Sequence, residues 1–153
     1  MAGGLGPGFA NLLSMDESLR DSISHRVVPI VAAHTKVQGL YLFGSLARGD
    51  HHAGSDVDLG VLFEYPYRAS LDEVIRLEHE IEQALDRRVD LVDVGRCEPF
   101  LALDVIQGER LYERDGAACD EFDLYVMRRA GDLAPFERER RRMIMDWATG
   151  AAS

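Results

Sequence analysis

The chain has 153 residues, 46% of them apolar and 29% charged, with 27 acids against 17 bases and a formal net charge of −10. One domain of this length buries about 70% of the surface its unfolded form exposes, so no disulfide or metal staple is needed to fold it. The composition excludes collagen, a coiled coil, low-complexity disorder and a disulfide mini-protein, and the acidity argues against gripping a long nucleic acid, which needs many Lys and Arg against phosphate.

A single nucleotide held by backbone amides and metal remains compatible with that charge, and an acidic surface suits a basic protein partner. Residues 1–14, rich in glycine, are expected to form a flexible leader, 15–148 a single domain and 149–153 a tail. The start Met1–Gly8 has neither a basic segment nor an apolar run, so no signal peptide is read there. No stretch approaches the roughly 18 apolar residues of a membrane span. Cys97 and Cys119 lie far apart without metal-type spacing and read as reduced thiols of a cytosolic protein.

Asp16 and Ser18 can cap a first helix, whose inner face is Leu19, Ile23, Val27 and Val31. Pro29 predicts a kink or restart within it, and Gly39 its end. Leu40–Phe43 is a short apolar run stopped by Gly44-Ser45, which favours a buried strand. Residues 46–54 predict a helical turn and a loop, with the adjacent His51 and His52 as loop residues. Over 56–63, Val57, Leu59, Val61 and Phe63 alternate with Asp56, Asp58 and Gly60, the period of a strand with one polar end. Ser70 and Glu73 form a capping box before a helix carrying Val74, Leu77, Ile81 and Leu85, ending near Arg87-Arg88.

Val89–Val94 predicts a third strand. Pro99 opens a short helix that Gly108 closes, and Glu109–Glu113 predicts a fourth strand. The remainder predicts a helix over 118–130, a break at Gly131–Pro135, and a last helix over 136–148 with Phe136, Met143, Ile144 and Trp147 inward. Met127 and Met145 read as core in the same way. The order predicts a sheet with helices packed on it, of α/β or α+β class.

Three acids carry the chemistry. Residues i and i+2 of a strand point to one side, so Asp56 and Asp58 present two carboxylates about 7 Å apart. Facing carboxylates repel unless one protonates or a cation lies between them. Hard oxygens suit Mg²⁺, which takes one or two carboxylates plus substrate phosphates. Asp90 sits in an apolar run, where an acid is costly to bury unless paired or metal-bound. If its strand neighbours the second, a three-carboxylate cup results. Taken singly, Asp56 reads as a loop-end acid and Asp58 as a solvent-facing strand residue. Gly44-Ser45 stands between a strand and a helical turn, where backbone amides and a hydroxyl can receive phosphate. Ten residues separate Ser45 from Asp56, a return that sets the phosphate turn beside the acid strand.

The pattern Gly44-Ser45-x10-Asp56-x-Asp58 resembles the signature of the DNA polymerase β-like nucleotidyltransferase superfamily. Its surroundings, GSLARGDHHAGSDVDLGVLFE and then RRVDLVDV, are similar to the stand-alone minimal nucleotidyltransferases of MNT type. These are antitoxins paired with HEPN-domain toxins. The likeness runs from about Leu40 to Val94 and extends more weakly through RLYERD and LAPFERERRRMI. It implies a mixed central sheet of about four strands flanked by helices. It implies an enzyme that uses ATP and Mg²⁺, two ions by its two-metal mechanism, to transfer AMP to a tyrosine of the toxin, silencing its RNase activity. It implies a hetero-oligomer with that toxin in the cytoplasm. By position, Gly44 and Ser45 hold the triphosphate, while Asp56, Asp58 and Asp90 are the catalytic, metal-holding acids. Asp93 competes with Asp90 as the third acid. Asp90 follows Arg-Arg-Val as the family's acid does, and Asp93 better fits a turn cap.

Arg48, three residues after Ser45, is placed for a phosphate contact or for a surface pair with Asp50. Tyr65, Pro66 and Tyr67 could wall an adenine pocket or form a turn. Arg128, Arg129, Arg138, Arg140, Arg141 and Arg142 make the C-terminal helices locally basic, as a solvated face or a docking surface. Two other functions compete with the adenylyltransferase: a non-enzymatic module that neutralises its partner by occlusion, and a nucleotidyltransferase acting on a small molecule.

Overall fold

The computed structural model describes residues 7–50, 52 and 54–150, with side chains of the first helix from Ser18 onward. Helix α1 (Pro7–Ala33) leads into strand β1 (Val37–Phe43), the short helix α2 (Gly44–Arg48) and strand β2 (Val57–Phe63). Helix α3 (Leu71–Leu85), β3 (Val89–Asp93), α4 (Pro99–Ile106), β4 (Glu109–Glu113) and the long α5 (Gly116–Thr149) follow. The four strands form one sheet in the order β3-β2-β1-β4. β1 pairs antiparallel with β2 and β4, and β2 pairs parallel with β3. The parallel pair needs a crossover, which α3 supplies. The expected mixed sheet with flanking helices is therefore present.

The most apolar strands take the centre. β1 (VQGLYLF) is buried along its whole length, whereas β4 (ERLYE) forms an edge. Leu40, Leu42, Leu59, Val61 and Phe63 pack with Ile23, Val27 and Val31 of α1 and Leu77, Ile81 and Leu85 of α3. Tyr41, Phe43 and Leu62 pack on the opposite face with Ala102, Val105 and Ile106 of α4 and Cys119 and Val126 of α5. Two glycines let those helices come close. A Cβ at Gly60 would collide with Val105 and stand 2.8 Å from Val94 Cγ2, and one at Gly39 would stand 3.0 Å from Cys119 Sγ. Arg110 ties β4 to α5 through Asp120 and Asp123 at 2.8 and 2.7 Å, and Tyr41 Oη donates to Asp123 at 2.8 Å.

The Ser70 capping box forms as its spacing predicts, with Glu73 N–H donating to Ser70 Oγ at 3.2 Å. Pro99 opens α4, where Glu98 caps the exposed amides of Phe100 and Leu101.

Some expectations are corrected. Asp16 and Ser18 lie inside α1 rather than at its start, and the helix continues across Pro29. Pro29 is exposed, while Ile23, Val27 and Val31 anchor both sides of it in the core. Residues 7–14 of the expected leader belong to α1; residues 1–6 and the side chain of Asp16 lie outside the described residues, as do His51 and residues 151–153. Gly39 does not end the first helix. It sits within β1, whose buried start at Val37 and Gln38 extends the strand backwards.

The break at Gly131–Pro135 is absent, because α5 runs unbroken through Pro135. A proline removes one helical hydrogen bond. Here strong helix formers follow it, braced by Arg140–Glu137, Arg141–Glu137 and Arg142–Glu139 pairs at 2.7, 3.1 and 2.6 Å. Phe136, Met143, Ile144 and Trp147 are not inward. They are 73%, 60%, 49% and 81% exposed, and Met127 and Met145 are exposed as well, because α5 carries no buried residue beyond Ala130. Among the described residues, no helix is long and apolar enough to cross a membrane.

Candidate active site

β1 ends at Phe43, whose Cα partner across the antiparallel ladder is Asp58. The next residue, Gly44, has φ +74°, a conformation that turns the chain into α2 and that L side chains rarely adopt. A Cβ at Gly44 would collide with the Asp58 carboxylate and lie 2.9 Å from its Cγ. Glycine is thus required twice over: for the turn and for the room Asp58 occupies. α2 closes with Gly49 in the left-handed region, its N–H donating to the carbonyl of Ser45.

Asp58 and Asp90 are Cα partners in the parallel ladder. Neighbours in register share a face, so their carboxylates stand side by side. Asp56, two residues before Asp58, is exposed at the mouth of β2. Burial raises the pKa of Asp58 above the usual carboxylate range, and the charges of Asp90, Asp56 and Asp104 push it further, with Arg48 opposing. The fold therefore gathers Asp56, Asp58, Asp90 and Arg48 around Gly44. Asp90 itself is exposed on the edge strand, so the desolvation argument made for it applies to Asp58 instead.

Asp93 is placed elsewhere. It pairs with Val61 at the far end of β3, is partly buried and accepts a hydrogen bond from Gly95 N–H at 3.2 Å. Burial raises its pKa too, with the Gly95 bond working against that. It caps a turn, as its position before α4 suggested.

Beside Gly44 a cleft of about 390 Å³ opens, bordered by Arg20, Arg48, Asp104, Gln107 and Glu109. Arg48 pairs with Asp50 at 3.4 Å across an exposed surface, the second of its two readings, and also borders the cleft. Sequence reading missed Arg20 and Asp104. Neither belongs to a motif. Asp104 comes near Asp58 because Gly60, two residues along the same face, admits α4; Arg20 reaches α2 from the first helix, 27 residues away in sequence.

Tyr65, Pro66 and Tyr67 are not brought to the acids. They follow the opposite end of β2, where Tyr65 is exposed and Tyr67 Oη donates to Glu73 at 2.6 Å. Larger grooves of about 750 and 600 Å³ lie there, along Phe122 and Tyr125. Arg129 donates to Tyr125 Oη at 2.9 Å, and the arginines beyond Pro135 mostly pair along their own helix.

The donor set fits a hard divalent cation. Beyond burial, the charges of Asp90, Asp56 and Asp104 penalise the Asp58 carboxylate with Arg48 alone opposing them. Among the described residues, no three His, Cys, Asp or Glu side chains converge as a ready-made metal cage. That suits an ion that takes one or two carboxylates and completes its shell with phosphate and water.

Residues 25–117 match the family model described as polymerase beta, nucleotidyltransferase. The chain is 32% identical over 121 residues to the protein adenylyltransferase MntA of Shewanella oneidensis, covering 77% of this chain and 81% of that one. It is similar to a chain in a crystal structure of a toxin–antitoxin with AMP-PNP, with TM-score 0.68 and 25% identity over 82% of this chain and 98% of that chain. It shares the fold, at TM-score 0.66 and 22% identity, with a chain from the tri-AMPylated HEPN toxin of S. oneidensis in complex with MNT antitoxin, over 84% of this chain and 98% of that one.

Proposed function

Because the chain belongs to the polymerase β-type nucleotidyltransferases, and among them to the MNT-type protein adenylyltransferases, we propose that it transfers AMP from ATP to a tyrosine of a cognate HEPN-domain ribonuclease toxin and so acts as its antitoxin in the cytoplasm. One observation carries the reading: the Asp58 carboxylate stands against Gly44 at the phosphate turn, with Asp90 in register beside it. Its support from relatives is that one similar protein is a protein adenylyltransferase and another was solved with a toxin and AMP-PNP.

In this reading Gly44 and Ser45 receive the triphosphate, Gly44 by close backbone approach and Ser45 through its hydroxyl. Arg48 faces phosphate oxygens by charge. Asp56, Asp58 and Asp90 would hold Mg²⁺. Bound there, it supplies charge neutralisation at the phosphates and lowers the pKa of an attacking hydroxyl. The acceptor hydroxyl bonds to the α-phosphorus in line, the bond from that phosphorus to the bridging oxygen breaks, and pyrophosphate leaves. The hydroxyl proton is released to water. The residues contribute by positioning the two reactants and by stabilising charge where it develops.

The test is intact mass of the partner toxin after incubation with this chain, ATP and Mg²⁺. Wild type should add mass in steps of one AMP. Asp58→Ala, or chelation by EDTA, should reduce the rate by about a hundredfold or more, the scale of losing a main charge-stabilising group. Toxin neutralised without any mass step would refute the enzymatic reading in favour of occlusion.

A further inference from the structure

The cleft beside Gly44 has a cationic group that the signature does not contain. Arg20 Nη2 donates to the Ala47 carbonyl of α2 at 3.2 Å, and Nη1 lies 3.8 Å from Glu109 Oε2, a long pair between partly exposed groups. Among the described residues, its Nε is the one buried side-chain nitrogen or oxygen without a hydrogen-bond partner. Arg48 and Asp104 border the same cleft, as does Gly44, which abuts Asp58. Two guanidinium groups, with the carboxylates of Asp104 and Glu109, therefore border a space of about 390 Å³ that adjoins the phosphate turn.

We propose that Arg20 binds the terminal phosphates of the nucleotide, with Glu109 as a resident counter-charge that phosphate displaces. The proposal rests on the ATP-dependent reading above and adds to it a residue from the first helix. The chemistry follows from the guanidinium. It is planar, always charged and forked, so it binds a phosphate through two parallel N–H bonds. The bond to Ala47 fixes one edge of the fork. The 3.8 Å pair with Glu109 is too long for a direct hydrogen bond and leaves the other edge available. Because Arg20 also grips the end of α2, phosphate bound there draws α1 and the Gly44-Ser45 turn together. Pyrophosphate, the leaving group, would depart from this pair of arginines.

ATP and AMP separate this role from a structural one, since AMP has no terminal phosphates. Full-length wild type, Arg20→Gln, Arg20→Lys and Glu109→Gln are titrated calorimetrically with each nucleotide in Mg²⁺. Arg20→Gln should weaken ATP about tenfold, the scale of a lost charge-assisted hydrogen bond, and leave AMP within about twofold. Arg20→Lys should fall between. Glu109→Gln should tighten ATP about two- to fivefold, the worth of a partly exposed pair. Equal weakening of ATP and AMP by Arg20→Gln would show that Arg20 only braces α2 and would overturn the proposal, as would unchanged ATP affinity. Should Arg20→Gln fail to fold, Glu109→Gln decides: tighter ATP binding supports the proposal and unchanged or weaker binding overturns it. A wild type that binds neither nucleotide defeats the ATP reading itself and this proposal with it. Normal ATP binding without AMP transfer defeats only the former.

Discussion

Gly44 and Asp58 fill one another's space, so the turn and the acid behave as a unit. Gly44→Ala forces a side chain into the left-handed region, at roughly 1–2 kcal/mol, and drives its methyl into the Asp58 carboxylate. The variant should remain folded with a thermal midpoint lowered by several degrees, and calorimetry should find ATP binding lost or greatly weakened. Asp58 shows the opposite balance between stability and use. Burial and like charge disfavour its ionised form, so its ionisation costs the metal-free fold stability above its raised folded pKa, and acid relieves the cost. Asp58→Asn should therefore hold or raise the thermal midpoint in EDTA while abolishing transfer. A lowered midpoint would show that the carboxylate has a structural partner after all.

At the scale of elements, the strands and α3 were legible in advance because their signals are local. The alternation over Val57–Phe63, the apolar run at Leu40–Phe43 and the box at Ser70–Glu73 each lie within a few residues. Ser70→Ala should cost about 1 kcal/mol, read by denaturant unfolding. Glu73 does more than close the box. Tyr67 Oη donates to it, and with His34 Nε2 at 2.9 Å and the Ser70 amide holds its pKa below the usual carboxylate range. A depressed folded pKa gives stability that is present above the unfolded value of 4.5 and lost as pH falls through the folded one. Glu73→Gln should flatten the decline of the thermal midpoint in that acid window. What could not be read locally concerned the prolines and the helix faces. Pro29 and Pro135 are breakers by rule, yet tertiary anchoring in α1 and ion pairs in α5 carry both helices through. Asp58 and Asp90 were legible as strand residues, but their side-by-side register comes from the pairing of β2 with β3, and Asp56 lies just outside β2. Arg20 and Asp104 were not legible, because helices bring them to the site through glycine-permitted packing rather than through spacing along the chain.

For the whole molecule, charge and burial divide at the same place. Residues 131–149 hold four acids, Asp132, Glu137, Glu139 and Asp146, against four arginines, so the net charge of −10 resides in the body before them. Among the described residues, that body also contains every buried one, since α5 buries nothing after Ala130. A chain ending at Gly131 should thus fold with its thermal midpoint within about 2 °C of wild type, as expected when only exposed groups are removed, and it should bind ATP unchanged. Calorimetry of the shortened chain checks both, and a large destabilisation would mean that the last turns support the core.

The single indole of the chain, Trp147, stands on that outlying part of α5 and is 81% exposed. Its emission will already be red-shifted and quenchable in the native state. Fluorescence denaturation curves will consequently pass over the melting of the sheet, which far-ultraviolet dichroism must follow instead. In exchange the protein carries an intrinsic optical probe whose blue shift would report any molecule that settles over the end of the helix.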